Sequence, residues 1–251
     1  MREITQDKLK VKIFETRDLM GAAAAEIISD RILGLLKTKE YVNIIFASAP
    51  SQNEFLAELI KKPVDWSRIN SFHMDEYVGL DKDDPQGFGY FLKEKLFGKV
   101  SCREVHYLNG NAEDIEEECE RYSGLLKKYP TDIVCLGIGE NTHLAFNNPH
   151  VADFNDPKIV KVVDLDEACR LQQVNDGCFK QINEVPTHAL TITIPALFRS
   201  DYAYAIAPGP LKANAIYHTI HSEISETYPS TILRKHDHAV LFIDENSASK
   251  L

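Results

Sequence analysis

Ile133-Val134-Cys135-Leu136-Gly137-Ile138-Gly139-Glu140-Asn141-Thr142-His143-Leu144-Ala145-Phe146-Asn147-Asn148-Pro149 decides how this chain folds. Its first four residues are an apolar run that reads as a buried strand. The run then breaks into two glycines and a cluster of polar groups around one histidine. Open α/β sheets place their ligands beyond the carboxyl ends of strands, on loops of this kind. The remaining chain reads as a scaffold that brings other groups up to this loop.

Upstream of it, Leu9 to Glu15 alternates as an edge strand should, with Val11, Ile13 and Glu15 on one side. Asp18 is placed to cap a helix carrying Met20, Ala23, Ala24, Ile27, Ile28, Ile32, Leu33 and Leu36 at helical spacing. Tyr41 to Ala47 is β-rich and ends in Ser48-Ala49-Pro50-Ser51-Gln52, after which Asn53 to Lys61 resumes a helical pattern. Ile69 to Met74 predicts a strand running into Asp75-Glu76-Tyr77. A helix over Phe88 to Leu96, a strand over Glu104 to Leu108 and a charged helix over Asp114 to Lys128 follow.

Downstream, Lys158 to Val163 reads as a strand, and Asp166 to Phe179 is an unusually polar segment with Arg170, Gln172, Gln173, Asn175 and Asp176. Thr187 to Ile194 and Tyr202 to Ala207 are strands, and Pro208-Gly209-Pro210-Leu211-Lys212 opens a helix through Ala215 and Ile216. Ala239 to Ile243 is the final strand. Strands alternating with helices from end to end predict an α/β fold in three layers, Rossmann-like, with a largely parallel sheet covered by helices on both faces. No internal repeat or long linker divides the 251 residues, so one domain over 1–251 is expected.

The bulk properties narrow the function. With 28 basic and 38 acidic residues the formal charge is −10, which disfavours nucleic acid as a partner. No apolar run approaches the ~20 residues of a membrane helix, so no membrane partner is expected. The five cysteines form no CxxC pair and no metal-like spacing with histidine. Scattered and odd in number, they read as reduced thiols in a cytoplasmic protein. Met1 is followed by a mixed polar segment and no signal peptide is expected.

Three places hold candidate chemistry. Strand, small-residue turn and helix start at Ser48–Gln52 make an anion site in principle, since free backbone N–H groups point outward there. Pro50 has no N–H to give, and taken alone the stretch reads better as a capped helix start. Asp75 and Glu76 end a strand, where a desolvated carboxylate makes a general base. The simpler alternative is that one of them caps the next element while the other is solvated. Lys212 sits just inside a turn from which it can reach an anion as a point charge, although a surface lysine is the default.

Taken together, these stretches resemble the glucosamine-6-phosphate deaminase family, within the broader group that includes 6-phosphogluconolactonases. His73-Met74-Asp75-Glu76-Tyr77-Val78-Gly79-Leu80 is similar to the family's MDEYVGL signature, and Gly137–Pro149 to its GxGxDGHxAFNEP signature. The segment with Arg170, the Thr187–Ile194 strand and the PGPLK turn fall in the same order. The resemblance implies aldose–ketose isomerisation with loss of ammonia, on a phosphorylated sugar or amino sugar, with no metal and no cofactor. It implies Asp75 as the base at C2, His143 at the pyranose oxygen and Lys212 at the phosphate. Ser48, Ala49, Ser51, Gln52, Gly139, Arg170 and Gln173 are the further expected binding residues.

The departures are as specific as the matches. Asn141 and Asn148 stand where the family has acids that support the histidine, and Thr142 stands where it has glycine. Glu140, one residue away, is a candidate substitute for the lost charge. The phosphate loop has lost its glycine, and the family's arginine after the main loop has no clean counterpart, so Gln172, Gln173 and Asp176 are expected to line the pocket instead. A lactonase of the 6-phosphogluconolactonase type and a non-catalytic sugar-phosphate binder remain alternative readings, and assembly as a homo-oligomer is left open.

Overall fold

The computed structural model describes residues 1–175 and 177–251; Asp176, a candidate pocket residue, lies outside the described residues. Its strands are β1 (Arg2–Gln6), β2 (Leu9–Phe14), β3 (Val42–Phe46), β4 (Ile69–His73), β5 (Asp75–Tyr77) and β6 (Glu104–His106). They continue with β7 (Ile133–Leu136), β8 (Val160–Asp164), β9 (His188–Ile192), β10 (Tyr202–Ile206) and β11 (Ala239–Asp244). The helices are α1 (Arg17–Leu35), α2 (Asn53–Leu59), α3 (Phe88–Leu92), α4 (Ile115–Lys128), α5 (Glu167–Asn175), α6 (Ile194–Phe198) and α7 (Ala213–His221).

The large sheet runs β1-β2-β11-β10-β7-β3-β4-β6. Every neighbouring pair is parallel except β1 with β2. Every residue of β3, β4 and β7 is buried, as strands covered on both faces require. One apolar cluster fills each face of this sheet: Ile45, Phe72, Val134, Leu190 and Ile216 on one side, Ile28, Ile44, Phe55, Ile133 and Phe242 on the other. From β3 the chain winds outward through β4 to β6, then returns to β7 on the other side of β3 and winds out through β10 to β11. The reversal leaves a crevice beyond the carboxyl ends of β3 and β7, the place where such sheets bind ligands.

Several details differ from the sequence reading. The strand β2 is no edge, because β1 pairs with it antiparallel. The cap of α1 is Thr16, whose hydroxyl accepts from the Leu19 amide at 3.2 Å; Asp18 sits in the first turn, where its charge favours the helix dipole. After Leu92 the backbone widens into a single π turn over Lys93–Phe97. The strands β5, β9 and β8 form a separate antiparallel sheet in that order. The strand beginning at Thr187 was legible from its alternation, but its partners are distant in sequence and alternation does not name them.

Two helices matter for the site. The small-residue face of α1 buries Met20, Gly21, Ala24, Ala25, Ile28 and Ile32 and lies directly on α2. A Cβ at Gly21 would come within 2.6 Å of Glu54 Cβ, so glycine there is what allows the two helices to touch. Behind the small sheet, Tyr77, Phe88, Phe146 and Phe179 pack with ring centroids 4.8–5.5 Å apart. Such ring pairs add about 0.5–1.5 kcal/mol each beyond their buried area. No helix among the described residues is long and apolar enough to cross a membrane.

Candidate active site

Four adjacent parallel strands, β10, β7, β3 and β4, end at one edge of the large sheet and feed a common cavity of about 250 Å³. Pro208-Gly209-Pro210 follows β10, Gly137-Ile138-Gly139 follows β7, Ala47-Ser48-Ala49 follows β3, and Met74-Asp75 follows β4; all line it. His143 reaches the cavity from the loop after β7, and Lys212 from the turn after β10.

His143 is held by a relay of amides. Its Nδ1 lies 2.8 Å from Asn141 Oδ1, an oxygen that can only accept, so the ring carries its proton on Nδ1 and keeps a lone pair on Nε2. Asn141 Nδ2 in turn donates to Asn148 Oδ1 at 3.1 Å, which fixes the orientation of the Asn141 amide. Burial and the nearby Lys212 charge bring the His143 pKa down to about 3, against a smaller opposing effect of the Asn148 side chain. The ring is neutral at physiological pH. Glu140 does not line the cavity and does not take the place of the lost acid at Nδ1, which Asn141 occupies. The Glu140 backbone amide is tied instead to α5, donating to Gln172 Oε1 at 2.8 Å.

Gly139 lies directly against the His143 ring. A Cβ built there would fall 2.2–2.4 Å from His143 Cε1, Nδ1 and Nε2, so only glycine leaves room for the observed ring position. Three residues further on, Thr142 adopts φ of +72°. That is the left-handed region, costly for a β-branched side chain, and it explains the glycine of the resembled signature. Its hydroxyl is also buried without a hydrogen-bond partner. Thr142→Gly is therefore expected to raise stability by about 1 kcal/mol, the relief of strain and of a buried orphan hydroxyl exceeding the entropy cost of glycine. A denaturant midpoint that moves down would show that packing of the threonine methyl outweighs both.

The adjacent acids have separate fates. Glu76 caps α3: Oε1 accepts from the Tyr77 and Phe88 amides at 2.9 and 3.0 Å, and Oε2 from Gly89 at 2.8 Å. Asp75 turns the other way, as alternation along β5 requires, and faces the cavity while only 6% exposed. Burial, and then the charge of Glu76, push its carboxyl well above the usual range. The chain reaches this position by leaving the large sheet at Met74, whose carbonyl accepts from Ile192 at 2.8 Å in the small one.

In the same cavity Lys212 is 6% exposed, and Ser48, Ala49, Ser51 and Gln173 stand on the walls with it. Two expected binding residues are elsewhere. Gln52 is fully buried outside the lining, and its Nε2 donates to Ile206 O and Ser51 Oγ at 3.2 and 3.0 Å, tying the β3 loop to β10. Arg170 donates to the carbonyls of Ile182 at 2.6 Å and Val185 at 2.9 and 3.2 Å, so its guanidinium holds the segment after α5 and does not face the cavity. The helix after the β3 loop is only seven residues, shorter than its apolar pattern implied, and begins with a 3-10 turn over Pro50–Gln52.

Gln172 and Gln173 line the cavity as expected, while two further lining residues escaped the sequence reading: Phe88 was noted only as helical, and Arg17 not at all. Arg17 begins α1, more than a hundred residues from the histidine loop, and no local pattern marks it.

Comparison with known proteins agrees with this geometry. Residues 15–242 match the family described as glucosamine-6-phosphate isomerases/6-phosphogluconolactonase. A glucosamine-6-phosphate deaminase of Bacillus cereus (strain G9842) is 36% identical over 241 residues, covering 96% of this chain and 88% of its own. One from Bacillus thuringiensis (strain Al Hakam) is 33% identical with the same coverage. Among solved structures, a monomeric glucosamine-6-phosphate deaminase superposes with a TM-score of 0.88 at 31% identity, over 96% of this chain and 99% of that one. A 6-phosphogluconolactonase from Thermotoga maritima, 21% identical, shares the fold with a TM-score of 0.77 over 94% of this chain and all of its own. With its signature loops at the carboxyl ends of the central strands, the chain belongs to the glucosamine-6-phosphate isomerase/6-phosphogluconolactonase family.

Proposed function

We propose that residues 1–251 form one catalytic unit, a glucosamine-6-phosphate deaminase acting on a phosphorylated amino sugar. The observation that carries this reading is one cavity holding a buried carboxylate at Asp75, a neutral imidazole at His143 and a buried cation at Lys212. The His143 lone pair takes the anomeric hydroxyl proton and returns it to the ring oxygen, opening the pyranose. Asp75 removes the proton at C2 and delivers it to C1, and its raised affinity suits a base working near neutrality. Water then releases ammonia from C2, leaving a ketose phosphate. Lys212 holds the phosphate. Among the described residues no disulfide joins the five cysteines, which fits a cytoplasmic setting.

The test is turnover of glucosamine 6-phosphate, measured as ammonia and as ketose phosphate in equal amounts. Hydrolysis of a phosphogluconolactone without ammonia release from the amino sugar would instead place the chain with the lactonases.

Asn141 gives this reading a second handle. Asn141→Asp restores a carboxylate at His143 Nδ1 and is expected to raise the histidine pKa from about 3 by about one to three units. The shift is read from the ring Cε1 proton by NMR titration. A histidine signal that does not move would mean that residue 141 does not hold the ring in solution.

A further inference from the structure

We propose that Arg17 supplies the second cation of the anion subsite, together with Lys212, in the role that Arg170 does not fill. The inference rests on the sugar-phosphate reading of the same cavity. Among the described residues lining that cavity, Arg17 and Lys212 are the ones that carry positive charge. A phosphate monoester brings about −1.5 to −2 at neutral pH, more than one lysine neutralises.

The position of Arg17 is built. Gly21 lets α1 lie on α2, and this contact places Arg17 over Glu54, with Nε 2.7 Å from Glu54 Oε2. Its Nη2 donates to the Pro50 carbonyl in the β3 loop. The Glu54 contact is an ion pair without a hydrogen bond, since Arg17 Nε and Glu54 Oε2 are both buried with no hydrogen-bond partner among the described residues, and the guanidinium's planar fork of N–H donors suits the oxygens of a phosphate. On the same wall, Ser48 Oγ is buried and without a hydrogen-bond partner. A phosphate oxygen would satisfy it. The loop itself is poorly equipped, because Pro50 has no amide proton and no glycine lets the main chain wrap closely around an anion. Side chains must therefore supply what the backbone does not.

A tether of the loop is the competing role, and Glu54 separates the two. If Arg17 merely tethers, breaking the pair from either side has the same effect. If Arg17 binds the anion, removing the competing carboxylate strengthens that binding and removing the arginine weakens it. Competition by inorganic phosphate and KM for the sugar phosphate are measured for wild type, Arg17→Gln and Glu54→Gln, with thermal midpoints as a check on folding. Arg17→Gln is expected to weaken both phosphate binding and KM tenfold or more with kcat changed less than threefold, and Glu54→Gln to tighten phosphate binding. Equal weakening by both variants, or an Arg17→Gln protein that binds phosphate like wild type, overturns the proposal. Wild-type protein that does not bind inorganic phosphate at all overturns it too. Phosphate binding lost only in Arg17→Gln, in a wild type that releases no ammonia, would sustain the arginine's role and remove the deaminase reading instead.

Discussion

Asp75→Asn is expected to lower kcat for the amino-sugar phosphate by at least about a thousandfold while making the protein more stable at neutral and alkaline pH. The amide cannot accept the C2 proton, and general-base catalysis contributes about 10²–10⁴-fold. The stability gain follows from the direction of the shift. Burial raises the Asp75 carboxyl above its unfolded value, so the folded state binds more protons than the unfolded one between those two values. Stability is therefore fullest at low pH and declines as pH rises through that window, where an ionised carboxylate must be kept out of water. Asparagine removes this decline. Wild type and variant should thus unfold together near pH 4 and separate above it, with the variant higher. The same titration governs activity: kcat/KM rises with pH as Asp75 ionises, and the acid limb disappears with the variant's activity. An Asp75→Asn enzyme with wild-type kcat would remove Asp75 from the chemistry, and equal stability at all pH values would show that its carboxyl is not perturbed by burial.

The sequence placed the scaffold well because its signals are local. The apolar run of β7 followed by glycines, and the short β-rich runs between helical patterns, are each decided within a few residues. Asp75 and Glu76 show where locality ends. Alternation says that neighbours in a strand face opposite ways, but which of them caps a helix depends on the amides of Phe88 and Gly89, twelve and thirteen residues on. Arg170 shows the same limit: the resemblance places it among the binding residues by its order in the chain, while the carbonyls of Ile182 and Val185 that hold it lie further along and no local pattern names them. Arg17 enters the site only because Gly21 allows α1 and α2 to meet. Thr142 conceals a backbone requirement that glycine would have announced, and the positive φ is visible only in the structure.

Gly139→Ala is expected to lower kcat by about a hundredfold and stability by about 1–3 kcal/mol, whereas Gly137→Ala should change kcat less than tenfold. The two glycines look equivalent in the sequence and are not equivalent in space. A Cβ at Gly137 meets Gln52 Nε2 and Ser51 Oγ at 3.6 and 3.7 Å, ordinary contact distances on the side of the β3 loop. A Cβ at Gly139 would occupy the space of the His143 ring itself, with three ring atoms inside 2.5 Å. The ring must then move by about 1 Å or more, and a displacement of that size in a reacting group can reduce rate about a hundredfold. Moving the ring also stretches its 2.8 Å contact to Asn141, and with it the relay to Asn148 that sets the tautomer. Gly139 further ties the loop through its amide, which donates to the His143 carbonyl at 3.0 Å, so the main chain cannot simply yield. Steady-state kinetics and denaturation on the two variants check the argument, and a crystal structure of Gly139→Ala should show a rotated imidazole. Wild-type kcat in Gly139→Ala would mean that ring opening does not depend on where His143 sits, leaving proton transfer by Asp75 as the chemistry this cavity performs.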